Sequence, residues 1–447
     1  MSPDDRRERR RCAMRGERAA APRRRSVLGG LLGGLALGAA GCTQGREARP
    51  AGETSEQREL EVFSWWAGAG GEATALRVLI DRYARLHPGI TFVNAAVAGG
   101  AGVQARAVLE QRLQTGRPPG SFQGHAGPEL LDHVRADRLQ RLDDLITGTG
   151  LADAMPEVLA DRLRTDGHLH GVPVTLHRAN LLWYSPRVFE LAKVDGPPED
   201  PESFVETLEK IAAAARLPLA LGEAWTAKHL LETVLAAELG AAGYERLWGP
   251  EGDWRGPDVR RAIRTFRSLL RRTDPDAGTL TWQEAATLVT EGQAGCMVMG
   301  DWVYGLFAEQ GRRPEEDYAW AVAPGTDGVY QWLSDVFTLP KGVPDAAAAR
   351  AWLRVCAEPA TQRRMAQVKG CLPPRTDAMD GIDGGYLGWA RDAWEKDTPI
   401  GSLTHGGVAS NAWAGEIDRA LTLFLSVRDS TRFTEDLAAA ADRHAGS

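Results

Sequence analysis

The first feature that could take part in chemistry is a pair of adjacent tryptophans in the stretch EVFSWWAGAGGEA, residues 61–73. A tryptophan offers a flat apolar face beside an N–H donor, which suits a ligand with both apolar faces and hydrogen-bonding groups. Because successive strand residues point to opposite faces, Trp65 and Trp66 cannot both stack on one ligand in the same way. We favour Trp66 because it lies nearer the glycine-rich loop, and burial of both rings in the core is the alternative.

Three polar residues extend this set of candidates. Glu72 begins the helix predicted after the loop, where the helix dipole favours a carboxylate. It could accept hydrogen bonds from two hydroxyls, or serve only as an acid in the first turn. Gln123 and His125, in QGHAGPEL, lie two positions apart before another predicted helix, so they share one face of an extended segment. Both side chains can donate and accept hydrogen bonds.

Further candidates lie along the second half of the chain. Three tryptophans follow small or polar loop residues, with core packing as the alternative: Trp225, Trp282 and Trp302. Asp301 either contacts the ligand or caps a helix. Asp335, in WLSDVF, is a carboxylate on an otherwise apolar predicted strand. Burial of a lone carboxylate is costly, so Asp335 needs a partner, and Lys369 or the hydroxyls of a ligand would serve.

These residues favour binding over catalysis. A hydrolase would need two carboxylates that flank one bond, and Glu72 and Asp335 are the pair available for those roles. The sequence contains no GxSxG motif, no phosphate-binding loop and no CxxC or His/Cys cluster, so we expect no cofactor and no metal. The pair His168 and His170 could suggest a metal site, but we interpret it as a surface turn.

The elements that must position these residues alternate between strand and helix. ELEVFSW reads as a strand, apolar residues at helical spacing follow it, ITFVNAAV reads as a second strand, and VQARAVLEQRLQTG reads as a second helix. This order predicts a parallel sheet covered by helices, and such sheets bind ligands at the carboxyl ends of their strands. The two tryptophans lie at that end of the first strand. Helical patterns dominate 201–247 and 257–271, with strands predicted at 318–342.

The amino terminus has the layout of an export signal. An arginine cluster at 23–25 precedes an apolar stretch at 27–37, which is too short for a transmembrane helix. RRRSVL resembles a twin-arginine signal, and LGAAGC resembles a bacterial lipoprotein cleavage box with Cys42 as the lipidated residue. A plain secretory signal is the alternative. We therefore interpret 1–41 as the signal and 42–58 as a flexible tether.

Charge and cysteine content narrow the classes of partner. Without residues 1–41 the chain has 43 basic and 56 acidic residues, a net charge of −13. An acidic surface disfavours nucleic acid as a partner. Cys296, Cys356 and Cys371 allow at most one disulfide in the folded region, and a bridge between the last two is possible.

Nine segments, taken in order, resemble the extracellular sugar-binding proteins of ABC transporters, and most closely their glucose-binding group. The resemblance covers nearly all of the chain after about residue 59. The segments are VFSWWAGAGGEA, NAAVAGGAG, SFQGHAGPEL, GVPVTLHRANLLWY, PLALGEAWTAKHLLE, LTWQEAATLVTEGQAGCMVMGDW, WLSDVFTLPKG, KGCLPPRTDA and SLTHGG.

The resemblance implies an α/β, two-lobed periplasmic-binding-protein fold of type II whose lobes close around a sugar by hinge bending. The hinge would be crossed about three times, near 171–177, 326–333 and 373–378. Lobe one would comprise 59–172 plus 332–374, and lobe two 176–327 plus 377–447.

The resemblance also adds two residues to the site. Lys369, in VKGCLPPR, and His405, in LTHGG, match ligand positions of the family, with a solvated lysine and a loop histidine as the alternatives. A pyranose has apolar C–H faces and a rim of hydroxyls, which is the ligand chemistry that the tryptophans and polar candidates suit.

The resemblance further implies a non-catalytic lipoprotein that is anchored to the outer face of the cytoplasmic membrane or is periplasmic. It would be a monomer that touches the membrane through its lipid only and delivers sugar to the transmembrane permease subunits of an ABC importer. The choice of glucose as the sugar rests on the resemblance alone. A different mono- or disaccharide, or a sugar sensor with the same fold, stays open.

Overall fold

A computed structural model describes residues 58–68, 70–99, 102–214 and 216–445. The predicted signal at 1–41, Cys42 and all of the predicted tether except Arg58 lie outside these residues. Arg58 is already the first residue of a strand. No helix within the described residues is both long and apolar enough to cross a membrane.

The described residues alternate between strands and helices, which confirms the predicted α/β class. The strands are β1 (Arg58–Phe63), β2 (Ile90–Asn94), β3 (Ser121–His125), β4 (Arg164–Thr165), β5 (His168–Leu169), β6 (Gly171–Pro173), β7 (His177–Arg178), β8 (Leu181–Tyr184), β9 (Leu217–Leu219), β10 (Ala294–Val298), β11 (Ala319–Val322), β12 (Val329–Leu333), β13 (Asp335–Thr338) and β14 (Thr398–Gly401).

The helices cover the sheets and dominate the carboxyl-terminal part. They are α1 (Glu72–Leu86), α2 (Val103–Gln114), α3 (Pro128–Arg135), α4 (Asp143–Gly148), α5 (Leu151–Ala154), α6 (Glu157–Leu163), α7 (Pro186–Leu191), α8 (Pro201–Ala213), α9 (Ala224–Leu247), α10 (Pro257–Leu270), α11 (Trp282–Thr290), α12 (Trp302–Glu309), α13 (Ala346–Ala357), α14 (Pro359–Lys369), α15 (Gly385–Trp394), α16 (Asn411–Val427) and α17 (Ser430–His444). Single 3-10 turns occur at Ala277–Thr279 and Thr376–Ala378.

Most of the strands form three sheets. The first has the order β2-β1-β3-β13-β6, in which β1 is parallel to β2 and β3, while β13 runs antiparallel to β3 and β6. The second has the order β11-β8-β10-β9 and the third β14-β12-β7. The chain leaves the first sheet after Pro173, and it returns to it through Ser334, the residue between β12 and β13.

The packing of β1 and α1 follows from their sequence pattern. In β1, Leu60 and Val62 are buried on alternate positions. In α1, Leu76, Leu79 and Tyr83 recur at helical spacing and are buried. The buried face of α1 ends before its last residue, since Leu86 is 43% exposed. This packing sets the orientation of the β1–α1 loop that carries the two tryptophans.

A close approach of α12 and α14 holds Lys369 in place. Gly370 has a φ of +86°, a left-handed conformation that ends α14 directly after Lys369. A Cβ at Gly305 of α12 would lie 2.7 Å from the carbonyl oxygen of Lys369. Glycine at these two positions therefore lets the backbone around Lys369 pack directly on α12.

The surroundings of His170 and of two cysteines differ from the sequence predictions. His170 is only 5% exposed, so the predicted surface turn at His168 and His170 is wrong for His170. His168 is partly exposed and its Nδ1 lies 3.0 Å from Asp143 Oδ2. The possible bridge between Cys356 and Cys371 is not formed, since both are buried free thiols.

Candidate functional site

A cavity of about 310 Å³ is lined by residues of β3, β7, β12 and β13 and by the first residues of α1, α11 and α12. Ten of the twelve ligand-binding candidates line it: Trp65, Trp66, Glu72, His125, Trp225, Trp282, Trp302, Asp335, Lys369 and His405. They come from segments up to 340 residues apart, so only the fold brings them together. Gln123 and Asp301 do not line the cavity.

The two adjacent tryptophans differ in their surroundings, as their alternation along the chain predicts. Trp66 is 1% exposed, and the ammonium of Lys369 lies 4.7 Å from its ring centroid, a cation–π contact. Its ring also meets Phe337 edge-on at 6.0 Å. Trp65 is 7% exposed and is tilted against His125, with ring centroids 4.9 Å apart. Both rings line the cavity, and Trp65 is the more exposed of the two, whereas the sequence favoured Trp66.

Asp335 has partners within the protein that the sequence did not identify. Its Oδ1 accepts a hydrogen bond from Gln123 Nε2 at 2.7 Å, and its Oδ2 accepts one from the Thr175 hydroxyl at 2.9 Å. Burial opposes ionisation of Asp335, but the positive charges of His177 and Lys369 hold the pKa of its carboxyl well below the usual value. Asp335 is therefore a fixed negative charge at the cavity wall.

Gln123 and Asp301 stand behind the cavity wall. Gln123 Oε1 accepts a hydrogen bond from the backbone N–H of Trp65 at 3.1 Å, while its amide nitrogen donates to Asp335. Asp301 is fully buried, accepts the backbone N–H of Arg178 at 2.9 Å and contacts Nδ1 of His177. Its side chain does not cap α12, although it occupies the N-cap position. The structure gives both residues supporting positions.

His177 lines the cavity and was missed by the sequence interpretation. It is 1% exposed, and its Nε2 lies 3.4 Å from Oδ2 of Asp335. Burial opposes protonation, but the adjacent carboxylate of Asp301 raises the pKa of His177 above its usual value. The sequence signal for His177 is a titratable residue within the largely apolar stretch GVPVTLHRANLLWY. That signal does not reveal its role, because its partner Asp301 is distant in sequence.

Lys369 and Glu72 form an ion pair at the cavity wall. Lys369 Nζ lies 3.6 Å from Oε1 of Glu72, and the lysine side chain is 2% exposed. Burial raises the pKa of Glu72 above its usual value, while the charge of Lys369 acts in the opposite direction. The ionised carboxyl of Glu72 therefore lowers the folding stability of the free protein. A hydrogen bond from a ligand hydroxyl could restore that stability.

Glu72→Gln should raise the melting temperature of the free protein at pH 7–8. A carboxyl whose pKa is raised by folding binds more protons in the folded state, so stability falls as pH rises from the unfolded pKa to the folded pKa. The glutamine variant lacks this loss, and the two proteins should converge near pH 4. Differential scanning calorimetry across pH 4–8 measures this. A melting temperature below that of the parent at pH 8 would contradict the prediction.

A second group of cavity-lining side chains consists of aromatic rings and histidines. Trp302 lies 5.0 Å from His405 and 6.4 Å from Trp225, measured between ring centroids. The indole N–H of Trp225 donates to Glu223 at 2.9 Å. Burial lowers the pKa of His405 well below its usual value, and the neighbouring His125 acts in the same direction. His405 is therefore neutral at physiological pH.

The fold also brings together His229, Glu232 and His405, whose potential ligand atoms all lie within 4.8 Å of one another. No spacing in the sequence revealed this buried group. The Glu232 oxygens accept hydrogen bonds from the Ser402 hydroxyl and the Thr404 backbone N–H, at 3.0–3.1 Å. These bonds hold Glu232, and His229 Nε2 lies 3.0 Å from the carbonyl oxygen of Ala179. The absence of a metal stays a prediction.

Comparison with known proteins identifies the class of this site. The profile described as bacterial extracellular solute-binding protein matches residues 68–363. The chain belongs to this family. It is a family of exported binding proteins and not of enzymes, so the hydrolase alternative is excluded.

Three similar proteins illustrate the relationship. A probable sugar-binding periplasmic protein of Brucella suis is 29% identical over 90% of this chain and 97% of its own length. A xylose/arabinose-binding protein of Haloferax volcanii is 27% identical over 79% of this chain and 83% of its own length. A solved chitin oligosaccharide binding protein has a TM-score of 0.76 at 18% identity, over 86% of this chain and 98% of its own. This likeness confirms the predicted two-lobed fold, while the lobe boundaries stay a prediction.

Proposed function

We propose that this protein is the sugar receptor of an ABC importer and binds a monosaccharide, glucose first, without converting it. The observation that carries the proposal is a single cavity that combines tryptophan rings with a fixed carboxylate, an ammonium and neutral or charged imidazoles. Rings suit the C–H faces of a pyranose, and the polar groups suit its hydroxyls. The relatives named for sugars support this class of ligand.

The size of the cavity favours a small sugar. Its volume of about 310 Å³ lies at the lower end of the range of small-molecule pockets, about 300–1,000 Å³. A mono- or disaccharide fits this range better than a longer oligosaccharide. The relative named for xylose and arabinose makes a pentose the second candidate.

The remaining parts of the proposal concern delivery. Two lobes, 59–172 plus 332–374 and 176–327 plus 377–447, would close on the sugar and present it to the permease subunits. Lipidation at Cys42 would hold this otherwise monomeric protein at the membrane. A sugar sensor would use the same cavity. The protein that binds the closed form would distinguish a transport role from a sensor role.

A sugar panel tests the proposal directly. A ligand at 100 times its Kd adds about 2.7 kcal/mol of stability, so at equal concentration the tightest-binding sugar raises the melting temperature most. Glucose should therefore give a larger shift than galactose, mannose, xylose, arabinose or maltose. Calorimetry should then give one glucose per chain and no released product. A larger shift with a pentose would replace glucose by that sugar, and no shift with any sugar would reject the proposal.

A further inference from the structure

The hydroxyl of Ser402 lies between Glu232 and His405, behind the wall of the cavity. Ser402 Oγ is 3.0 and 3.1 Å from the two carboxylate oxygens of Glu232, and 2.9 Å from Nδ1 of His405. Ser402 and Glu232 are fully buried, and His405 is 5% exposed. Neither Ser402 nor Glu232 is among the residues that line the cavity, so they act on a ligand only through His405.

The number of hydrogen atoms decides the direction of these bonds. A serine hydroxyl carries one hydrogen and a carboxylate accepts only, so the hydrogen of Ser402 points to Glu232. The contact with His405 then requires a hydrogen on Nδ1, which donates to Ser402 Oγ. A neutral imidazole carries one hydrogen, so Nε2 of His405 keeps a free lone pair.

That lone pair is available to a ligand. No residue in the described part of the chain hydrogen-bonds Nε2 of His405, whereas the ring lines the cavity between Trp302 and His125. We propose that Glu232 and Ser402 are positioning residues that hold His405 as the Nδ1–H tautomer, which makes His405 an obligate acceptor for one hydroxyl of the bound sugar. The ligand part of this inference rests on the proposed function, while the tautomer does not.

This arrangement predicts a specific discrimination. The sugar hydroxyl at His405 must donate its hydrogen, so replacement by fluorine, which has none, sets a C–F dipole against the lone pair of Nε2. A site that leaves a buried polar group unpaired rejects the analogue strongly. One position of the sugar should therefore tolerate fluorine much less because of His405.

The tautomer can be observed without any ligand. The full mature protein is labelled with ¹⁵N-histidine, and the His405 signals are assigned by their absence in His405→Asn. Two-bond ¹H–¹⁵N correlation spectra at pH 7.5 should show the pattern of a neutral Nδ1–H ring. The pattern of an Nε2–H ring, or of an imidazolium, would overturn the proposal whether or not the protein binds sugar.

The functional consequence is tested with glucose and its 2-, 3-, 4- and 6-deoxyfluoro analogues, or with the analogues of whichever sugar the panel identifies. For the parent, one analogue should bind at least tenfold more weakly than the sugar, and His405→Ala should remove most of that difference. In Glu232→Gln the difference should shrink at least threefold, because an amide can donate to Ser402 and release its hydroxyl to Nδ1 of His405. The spectra of this variant should show the Nε2–H ring.

Glu238→Gln is the matched control, since Glu238 lies on the same helix and instead binds Arg261 and Thr265. It should keep the parental fluorine discrimination and the parental tautomer. An unchanged discrimination in folded Glu232→Gln would overturn the positioning role. If Glu232→Gln does not fold, the spectra of the parent still decide the tautomer. If no sugar binds at all, only the proposed function fails.

Discussion

Asp335→Asn is expected to weaken sugar binding at least tenfold, the largest effect of any single-atom change in the cavity. The carboxylate is held ionised beside His177 and Lys369, and it accepts hydrogen bonds from Gln123 and Thr175. An asparagine has the same shape, but its amide nitrogen would face either the amide donor of Gln123 or the hydroxyl donor of Thr175. A ligand hydroxyl that donates to Asp335 would also lose a charged acceptor, which is worth about 1.5–3 kcal/mol.

Isothermal titration calorimetry with the sugar from the panel measures this loss. Asp161→Asn is the control, because Asp161 is an exposed residue of α6 that pairs with Arg164. It should bind like the parent. Circular dichroism confirms that Asp335→Asn is folded, since removing one member of a buried charge network can cost about 3–5 kcal/mol. A folded Asp335→Asn protein with parental affinity would show that Asp335 does not contact the ligand.

The sequence predicts the parts of the fold that depend on local pattern. The strand–helix alternation from β1 to α2 and the apolar face of α10 follow from spacing that each segment carries by itself. The strand β9 was missed because its three residues, Leu217–Leu219, are too short for an alternating pattern to show. It becomes a strand through pairing with β10, a segment more than 70 residues away.

The cavity-lining candidates were predictable because they lie at the ends of elements. Trp282 and Trp302 are the first residues of α11 and α12, and His125 is the last residue of β3. At the carboxyl ends of strands and the starts of helices, side chains converge on one edge of a sheet. These residues can therefore be recognised in the sequence, because they lie at the ends of strands and helices and not in their middle, where core residues lie.

The missed residues depend on partners that are distant in sequence. His177 lies on a short buried strand, and its pKa is raised by Asp301, 124 residues further along the chain. Glu232 and Ser402 are 170 residues apart and looked like ordinary helix and loop residues. A sequence read alone shows that a buried polar group needs a partner, as it did for Asp335, but not which one it obtains.

Lys369→Met is the second change with a large expected effect, again at least a tenfold loss of affinity. Methionine keeps much of the length of the side chain and its contact with Trp66, but it removes the ammonium that lies 4.7 Å from that ring and 3.6 Å from Glu72. A sugar hydroxyl loses a charged donor, and Glu72 and Asp335 lose a positive charge that favours their ionised forms. Calorimetry measures the affinity, with Lys341→Met as the control because Lys341 is exposed and pairs with Asp137.

The stability of the same variant should depend on pH in a way that separates lost charge from lost packing. Without Lys369, the folded-state pKa values of Glu72 and Asp335 rise, because that cation lowers both. For Glu72, whose folded-state pKa already lies above the unfolded value, more stability is then lost as pH rises from the unfolded to the folded pKa. Lys369→Met should therefore lower the melting temperature more at pH 8 than at pH 5, whereas a packing defect would lower it equally. Equal losses at both pH values, together with parental affinity, would show that the charge of Lys369 serves neither the carboxylates nor the ligand.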